Sequence, residues 1–488
     1  VTAPRPEIRF LLNDRAVTLA DVAASDTLLD HLRLTRSLRG TKEGCAEGDC
    51  GACTVLVGRR GGAGMVYEPM NSCIRLLPSV DLCHVVTVEA LGGEDGALHP
   101  IQRAMVDLHG SQCGFCTPGI VMALCALGMQ GGRPTPEEIE TALQGNLCRC
   151  TGYRPIVAAA QAAFEGGAQG RPTVMRGDVA ARLSAMDDGR RVDVSRGNSR
   201  AILPVSVDDF ADACAALPDA TLVAGSTDVG LWVTKFMREI SPAIFIGHLE
   251  GLRGVTADAR GVTLGAGASY AQCRALLVER FPHLAAYWDR IGGPQVRAMG
   301  TVGGNVANGS PIGDTPPVLI ALGARLTLRK GSARRTIPLE EFFVDYGEQD
   351  RAPGEFVESI RIPAPDPDTL HAAYKISKRR DEDISSVCAA FGVTLHAGRI
   401  TAARLAFGGM AATPKRAAHA EAALTGQPWT RATVMAAGEA LTQDFTPLTD
   451  MRASAKYRAT VARNLLLRFH IENAEPGQAS ALTRRGAA

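Results

Sequence analysis

Eight cysteines in two tight groups constrain this chain more than any other feature. Cys45, Cys50 and Cys53 stand in GCAEGDCGAC, a C-x4-C-x2-C spacing, and Cys73 is a distant fourth member. Gly44, Gly48 and Gly51 lie beside or between the sulfurs. A loop wrapped around a compact sulfur-rich centre must bring backbone N–H groups against it, and glycine permits both the close approach and a positive φ. The spacing is that of a plant-type [2Fe–2S] loop. A zinc site would more often show two short cysteine arms, and a disulfide pair or simple core thiols are the plain structural alternative.

The second group is Cys113 and Cys116 in QCGFCTPG, followed by Cys148 and Cys150 in GNLCRC. Either pair alone fits a redox dithiol or a zinc site as well. No His follows Cys116, which excludes covalent haem attachment. Four thiolates with two ferric ions and two sulfides leave a net negative centre that needs donors around it. Thr117-Pro118 reads as the N-cap and first residue of a helix ahead of the apolar run Ile120 to Leu127, aiming a helix N-terminus at that centre. Thr135-Pro136-Glu137-Glu138 reads as a capping box for another helix, ending at Gly145. These signals predict a small helical bundle with its cysteines at helix ends. Cys83, Cys125, Cys214, Cys273 and Cys388 have no metal-like spacing and read as core thiols.

With 488 residues, the chain is expected to form roughly three domains. At 46% hydrophobic and 21% charged it is packed globular protein. Lys plus Arg (52) balances Asp plus Glu (51), so nothing in the charge points to nucleic acid or an anionic membrane. The longest nearly apolar stretch, Gly119 to Met129, falls well short of the ~20 residues that span a bilayer. No secretory signal opens the sequence, so the expected location is cytoplasmic. A reducing compartment argues against a disulfide framework and for metal ligation.

Ile8 to Leu12 and Ala16 to Leu19 around an Asn13-Asp14 turn, a helix from Thr27 to Leu34, and strands at Thr54 to Val57 and Val85 to Leu91 suggest a ferredoxin-like β-grasp domain. Gly166 to Arg200 has little periodicity and reads as a linker or a surface-crossing segment. In TLVAGSTDVG, residues 221–230, a short strand runs into a turn able to hold a phosphate; such a stretch is more often merely a turn, and it is not the G-x-G-x-x-G fingerprint. The glycine-rich stretch IGGPQVRAMGTVGGNVANGSPIGDTPP, residues 291–317, would cost much ordering entropy without offering core side chains. A bound polyphosphate or ring cofactor explains it better than a structural loop. It holds a turn at Thr301 to Asn305 and Asp314 at a helix N-cap; Arg297 is either a phosphate donor or a surface arginine. A helix should begin at Val318, with strands at Arg325 to Leu328, Glu358 to Ile362, Ser386 to Leu395 and Ala402 to Phe407. Lys375 to Asp383, KISKRRDED, is a charge run expected to face solvent. Helices are expected at Ala417 to Leu424, Arg431 to Ala440 and Ala453 to Phe469.

The motifs at Gly44 to Cys53, Gln112 to Gly119 and Gly145 to Pro155 closely resemble those of the xanthine dehydrogenase family of molybdenum hydroxylases, and the resemblance runs over essentially the whole chain. It implies an α+β multidomain protein: a β-grasp [2Fe–2S] domain over 1–84, a helical [2Fe–2S] bundle over 85–165, a linker over 166–196, a two-part α+β FAD-binding domain over 197–368, a C-terminal α+β flavoprotein domain over 369–475 and a flexible tail over 476–488. It implies Cys45, Cys50, Cys53 and Cys73 as ligands of one cluster and Cys113, Cys116, Cys148 and Cys150 as ligands of the other. It places FAD on Leu222, Val223, Ala224, Gly225, Ser226, Thr227, Asp228 and Val229, and on Thr301, Val302, Gly303, Gly304 and Asn305. Ile291, Asp314, Val357 and Lys375 would also contact it. The family often has an aromatic residue where this chain has Ile291, and Asn and Glu where it has Ser226 and Asp228. Arg379 and Arg380 lie where the family controls access to the nicotinamide side of the flavin.

The family's large molybdenum domain has no counterpart in the sequence. The resemblance therefore implies the iron–sulfur/FAD subunit of a bacterial enzyme whose molybdopterin lies on a larger partner chain, in a complex of two small and two large chains with NAD+ as acceptor. No residue of this chain would touch the purine. The competing readings are the same part of an aldehyde or carbon monoxide dehydrogenase and, from another class, a zinc-bound scaffold.

Overall fold

The computed structural model describes residues 3–62, 64–93, 96–175 and 177–474. The chain is α+β and divides into two compact units. One runs to Gly251 and includes Ser269–Ala271 and Gly292–Gly300; the other comprises Leu252–Ala268, Gln272–Ile291 and the chain from Thr301. The segment 197–368 thus contributes to both. The expected tail at 476–488 lies outside the described residues.

The first unit opens with β1 (Ile8–Leu12) and β2 (Arg15–Leu19), joined through Asn13 at φ 55°. β3 (Thr54–Gly61), β4 (Gly64–Asn71) and β5 (His84–Val86) complete a mixed sheet of order β2-β1-β5-β3-β4, in which only the β1–β5 pair is parallel. Thr27 caps the short helical segment that follows β2, its hydroxyl accepting from Asp30 N–H. This is a β-grasp arrangement, with Ile8, Phe10 and Leu12 turned into one core. Four helices follow, Pro100–Asp107, Thr117–Gly128, Pro136–Ala142 and Arg154–Glu165. The second is buried on nearly every side, as a helix apolar all round must be. The capping box at Thr135 and Glu138 forms as the sequence implies, but its helix stops at Ala142, short of Gly145.

The expected linker is not one. Helix Val179–Met186 lays Val179 and Leu183 over Leu11 and Met65, covering the back of β1. Burying two such side chains is worth about 1.5–3 kcal/mol each. Val179 and Leu183 stand four apart among alanines, Arg182 and Ser184, and alanines on both faces blur the periodicity that would announce a helix. β6 (Val192–Arg196) and β7 (Ser199–Leu203) then form a hairpin, and β8 (Thr221–Val223) and β9 (Ala243–Phe245) add parallel strands in the order β6-β7-β9-β8.

In the second unit, β10 (Val255–Asp258), β11 (Gly261–Gly265), β12 (Arg325–Lys330), β13 (Ala333–Pro338) and β16 (Phe356–Pro363) form an antiparallel sheet of order β10-β11-β16-β12-β13. β14 (Phe343–Asp345) and β15 (Glu348–Gln349) make a small ribbon. β17 (Thr369–Ile376), β18 (Val387–His396), β19 (Arg399–Gly408) and β20 (Lys415–Arg416) form a second antiparallel sheet. Helices Ala418–Leu424, Arg431–Asp444 and Ala455–Ala474 share its core through Leu424, Val434, Leu466 and Phe469. Lys375, placed by sequence in the charge run, belongs to β17 and is buried.

Candidate functional sites

The first cysteine loop joins the helical segment after Thr27 to β3, and Cys73 follows β4. Cys53 and Cys73 are buried with their sulfurs 3.3 Å apart; Cys45 and Cys50 are half-buried. The Cys45 thiol is drawn below its ordinary range, first by the Cys50 and Cys73 side chains and further by the Cys50 and Glu47 amides. Those two N–H groups each lie 3.4 Å from Cys45 Sγ. The backbone has been shaped to do this: Ala46 and Gly51 sit at φ 55° and 67°, and a Cβ on Gly44 would fall 2.8 Å from Cys50 Sγ. Among the described residues, no three His, Cys, Asp or Glu side chains converge as ligands of one metal ion. The thiols form a run of contacts instead, Cys50 to Cys45 to Cys73 to Cys53, which suits a larger group bound by all four sulfurs.

Of the second group only Cys116 stands at a helix end; Cys113 lies three residues before it, and Cys148 and Cys150 lie in the segment between helices Pro136–Ala142 and Arg154–Glu165. Cys116 is itself the N-cap of helix Thr117–Gly128, and Thr117 is its first residue rather than the cap. Cys116 has turned to φ −80°, ψ −18°, and the Thr117 hydroxyl is occupied by Ser111 Oγ at 2.7 Å. Tyr153 Oη accepts the Cys148 amide at 2.9 Å, and Thr151 Oγ1 lies 3.1 Å from Cys148 Sγ. Burial opposes ionisation of Cys148, yet the Thr151 and backbone hydrogen bonds carry its thiol below the ordinary range. Burial pushes Cys116 up to about 12. Cys113 and Cys150 are exposed.

The two cysteine loops touch. Leu147 N–H donates to the Cys50 carbonyl at 3.0 Å, and Asn146 Nδ2 to Gly51 O at 3.1 Å. Gln295, fully buried, donates Nε2 to Asn146 Oδ1 at 2.8 Å and lies 3.1 Å from Thr54 Oγ1. Sequence reasoning missed Asn146 and Gln295, since the partners of Gln295 lie 149 and 241 positions away. Arg297 is not a surface arginine. It is buried, donating to Gly292 O and Gln144 Oε1.

The flavin candidates fall in both units. In the first, β8 carries Leu222 and Val223, and the turn from Ala224 to Asp228 leads into helix Val229–Thr234. Ser226, at φ 57°, holds a buried hydroxyl with no partner among the described residues. Burial raises the Asp228 carboxyl. A Cβ on Gly225 would fall 1.9 Å from Met299 O.

In the second unit, the expected Thr301–Asn305 turn is a helix start. Thr301 caps helix Val302–Asn308, its Oγ1 accepting from Gly304 N–H at 3.0 Å. Gly303 leaves no room for a Cβ against Ala266, and the buried Asn305 Oδ1 has no partner among the described residues. Asp314 stands at the start of helix Thr315–Ala321 but does not cap it. Its carboxylate takes Lys375 Nζ and Ser385 Oγ, each at 2.5 Å, and its carbonyl accepts from Tyr287 Oη at 2.7 Å. Ile291 and Val357 add buried apolar surface. The segment 375–380 is held by Arg290, which donates to Lys375 O at 2.7 Å, Ser377 Oγ at 3.1 Å and Arg380 O at 3.1 Å. The Arg379 guanidinium turns back onto Glu382 O, and Arg380 is exposed. In the first unit the unpartnered Ser226 hydroxyl can donate to a phosphate oxygen; in the second the unpartnered Asn305 Oδ1 is an acceptor and suits a hydroxyl or N–H of a bound cofactor.

Three families match consecutive stretches: the [2Fe-2S] binding domain over residues 87–161, the FAD binding domain in molybdopterin dehydrogenase over 197–365, and the CO dehydrogenase flavoprotein C-terminal domain over 372–473. The xanthine dehydrogenase of Emericella nidulans is 34% identical over 95% of this chain and 38% of its own length. The xanthine dehydrogenase/oxidase of Rattus norvegicus is 32% identical over 83% of this chain and 34% of its own. A chain of the carbon monoxide dehydrogenase from Hydrogenophaga pseudoflava, solved in a form lacking the Mo-pyranopterin moiety, superposes with a TM-score of 0.52. It is 30% identical, over 55% of this chain and 94% of that one. This chain belongs to the molybdenum hydroxylases. It carries the [2Fe–2S]-binding and FAD-binding domains of that family, and spans little more than a third of its curated relatives' length. Among the described residues of this molybdenum hydroxylase chain, no helix is long and apolar enough to cross a membrane.

Proposed function

We propose that this chain is the electron-transfer part of a xanthine dehydrogenase, delivering to NAD+ the electrons released when a purine is hydroxylated on a larger molybdopterin-bearing partner, in an assembly of two small and two large chains. Cys45, Cys50, Cys53 and Cys73 would hold one [2Fe–2S] cluster, and Cys113, Cys116, Cys148 and Cys150 the other. The turns at Leu222–Val229 and Thr301–Asn305, with Ile291, Asp314, Val357 and Lys375, would hold FAD. Bound there, the clusters supply one-electron carriers and the flavin a carrier of one or two electrons. Thirteen cysteines, eight of them proposed ligands and the rest without a disulfide, suit a reducing, cytoplasmic compartment.

The observation that carries the reading is the direct Leu147 N–H to Cys50 O hydrogen bond. It joins a residue adjacent to one proposed ligand to another ligand itself, the short backbone link that an electron path between two centres uses. The protein's work is to fix the carriers close together and to shield them with a packed, hydrogen-bonded wall. Purine as the substrate is supported by the xanthine dehydrogenase relatives, which align across both the iron–sulfur and flavin regions. The carbon monoxide dehydrogenase likeness, covering 55% of this chain, favours a second reading: the same part of an aldehyde or carbon monoxide dehydrogenase. Co-purification with the molybdopterin partner, followed by assay with xanthine, carbon monoxide and an aldehyde against NAD+, tests it. Xanthine-dependent NADH formation by the complex, and none by the single chain, is expected; purine turnover by the single chain overturns the reading.

A further inference from the structure

Helix Val229–Thr234, directly after the Ala224–Asp228 turn, packs on the first cysteine loop. A Cβ on Gly230 would fall 2.8 Å from Ile74, next to Cys73. Lys235 Nζ reaches Glu47 Oε2 at 3.6 Å, an exposed pair that salt would screen. The contact of consequence is Thr234 Oγ1, 2.6 Å from the Ala46 carbonyl across 188 positions of sequence. The same oxygen lies 3.0 Å from Gly230 O; a threonine has one hydroxyl proton, and the shorter contact takes it.

The Ala46 carbonyl and the Glu47 N–H belong to one peptide unit. In a trans peptide these two groups point in opposite directions. On the far side, Glu47 N–H is directed at Cys45 Sγ, 3.4 Å away. Three groups therefore stand in line: the Thr234 hydroxyl, the Ala46–Glu47 amide and the Cys45 sulfur. Donation to a carbonyl polarises its amide and strengthens the N–H as a donor. Ala46, at φ 55°, occupies a region sparsely populated by residues with a Cβ, so an outside anchor is needed to keep this peptide turned.

We propose that Thr234 is a positioning residue that holds and polarises the Ala46–Glu47 peptide against Cys45 Sγ and so sets the reduction potential of the cluster on the first cysteine loop. The proposal rests on reading Cys45 as a ligand of that cluster. Hydrogen bonds to cluster sulfurs raise the potential because they stabilise the more negative, reduced state. The Cys50 N–H on the same sulfur, also at 3.4 Å, is untouched by Thr234, so the effect of its loss is partial. The helix that carries Thr234 begins at the candidate flavin turn, which links the geometry of the one site to the electronic tuning of the other.

The test is an EPR-monitored redox titration of the full chain carrying its clusters, with Thr234→Val, Thr234→Ala and Thr234→Ser. A Cys45→Ser variant identifies which signal belongs to the first loop. In the Val and Ala variants that signal should show about a threefold lower one-electron reduction equilibrium constant, about 28 mV at about 59 mV per tenfold. Thr234→Ser, which keeps the hydroxyl, should titrate as wild type, and the second signal should not move. An unshifted first signal in a cluster-bearing Val or Ala variant overturns the relay, as does a Ser variant that behaves like Val. Equal shifts of both signals overturn it too, since they report a general loosening. Wild-type protein without a two-iron signal overturns the ligand reading itself, before any Thr234 variant is compared.

Discussion

Lys375 Nζ lies 2.5 Å from Asp314 Oδ2, with both side chains largely withdrawn from water, at 3% and 11% exposure. The pair joins β17 to the start of helix Thr315–Ala321, and Ser385 Oγ completes the carboxylate's shell. Removing one partner of a buried ion pair strands the other charge, at a typical cost of about 3–5 kcal/mol. Lys375→Met alone should therefore destabilise strongly and lower FAD content. Lys375→Met with Asp314→Leu should cost much less than the two single changes added together. Denaturant unfolding of the four proteins gives the coupling directly.

The Gln295 side chain spans Asn146 and Thr54 inside the wall between the two cysteine loops. Gln295→Leu leaves Asn146 Oδ1 without that donor, a loss of about 1–3 kcal/mol. The Leu147 amide, protected by Cys50 O, should then exchange its hydrogen faster. Magnetic coupling between the two reduced clusters should weaken at unchanged iron content. Hydrogen exchange and EPR on the same preparation check both.

Each cysteine group is complete, so the reconstituted chain should bind about four iron and four acid-labile sulfides. Cys148→Ser should halve both and remove one EPR signal, because its sulfur contacts belong to a set separate from that of Cys45. Tight zinc without labile sulfide would falsify the assignment.

What could be read in the sequence were the features whose cause is local. The spacing of Cys45, Cys50 and Cys53, the capping box at Thr135 and the alternation of β1 each need only a few neighbouring residues. Helix Val179–Met186 was hidden because its two buried residues are explained by Leu11 and Met65 on distant strands. Thr301 to Asn305 reads as a turn because two glycines mask a helix that Thr301 caps and whose first turn is packed against Ala266. Asp314 illustrates the same limit from the other side. Its sequence position is that of a cap, yet a lysine 61 positions on claims the carboxylate.

His84 is buried, with Tyr67 Oη 2.6 Å from Nδ1 and Asn13 O 2.7 Å from Nε2. The carbonyl keeps the ring proton on Nε2, leaving Nδ1 to accept from the tyrosine. Burial, the leading cause, lowers the pKa from 6.5 to about 4. Between these values the unfolded chain binds the proton and the folded one does not, so stability rises with pH. The contribution is complete above about pH 6.5 and is lost as pH falls toward about 4, on the order of 3 kcal/mol in all. Urea unfolding at pH 7.5 and 5 should show a smaller difference in His84→Gln than in wild type.

Arg290, not Arg380, should govern the order of the charged segment after β17. Its guanidinium is half-buried and ties Lys375 O, Ser377 Oγ and Arg380 O together, while Arg380 keeps its own side chain 61% exposed and 3.9 Å from Asp381. Removing Arg290 frees three acceptors at once, one of them the carbonyl of the lysine that pairs with Asp314. In Arg290→Ala, limited proteolysis between residues 377 and 383 should be faster by about tenfold, since about 1.4 kcal/mol of lost local closure gives that factor when opening is rapid. The ratio of NAD+ to oxygen reduction by the assembled enzyme should change with it. Arg380→Ala should match wild type in both measurements, because an exposed ion pair contributes about 0–1 kcal/mol. Residues 164–199 contain no cysteine, so a mild thiol oxidant should leave the wild-type ratio where it was. An Arg380→Ala protein cut faster than Arg290→Ala would transfer the role back to the exposed arginine.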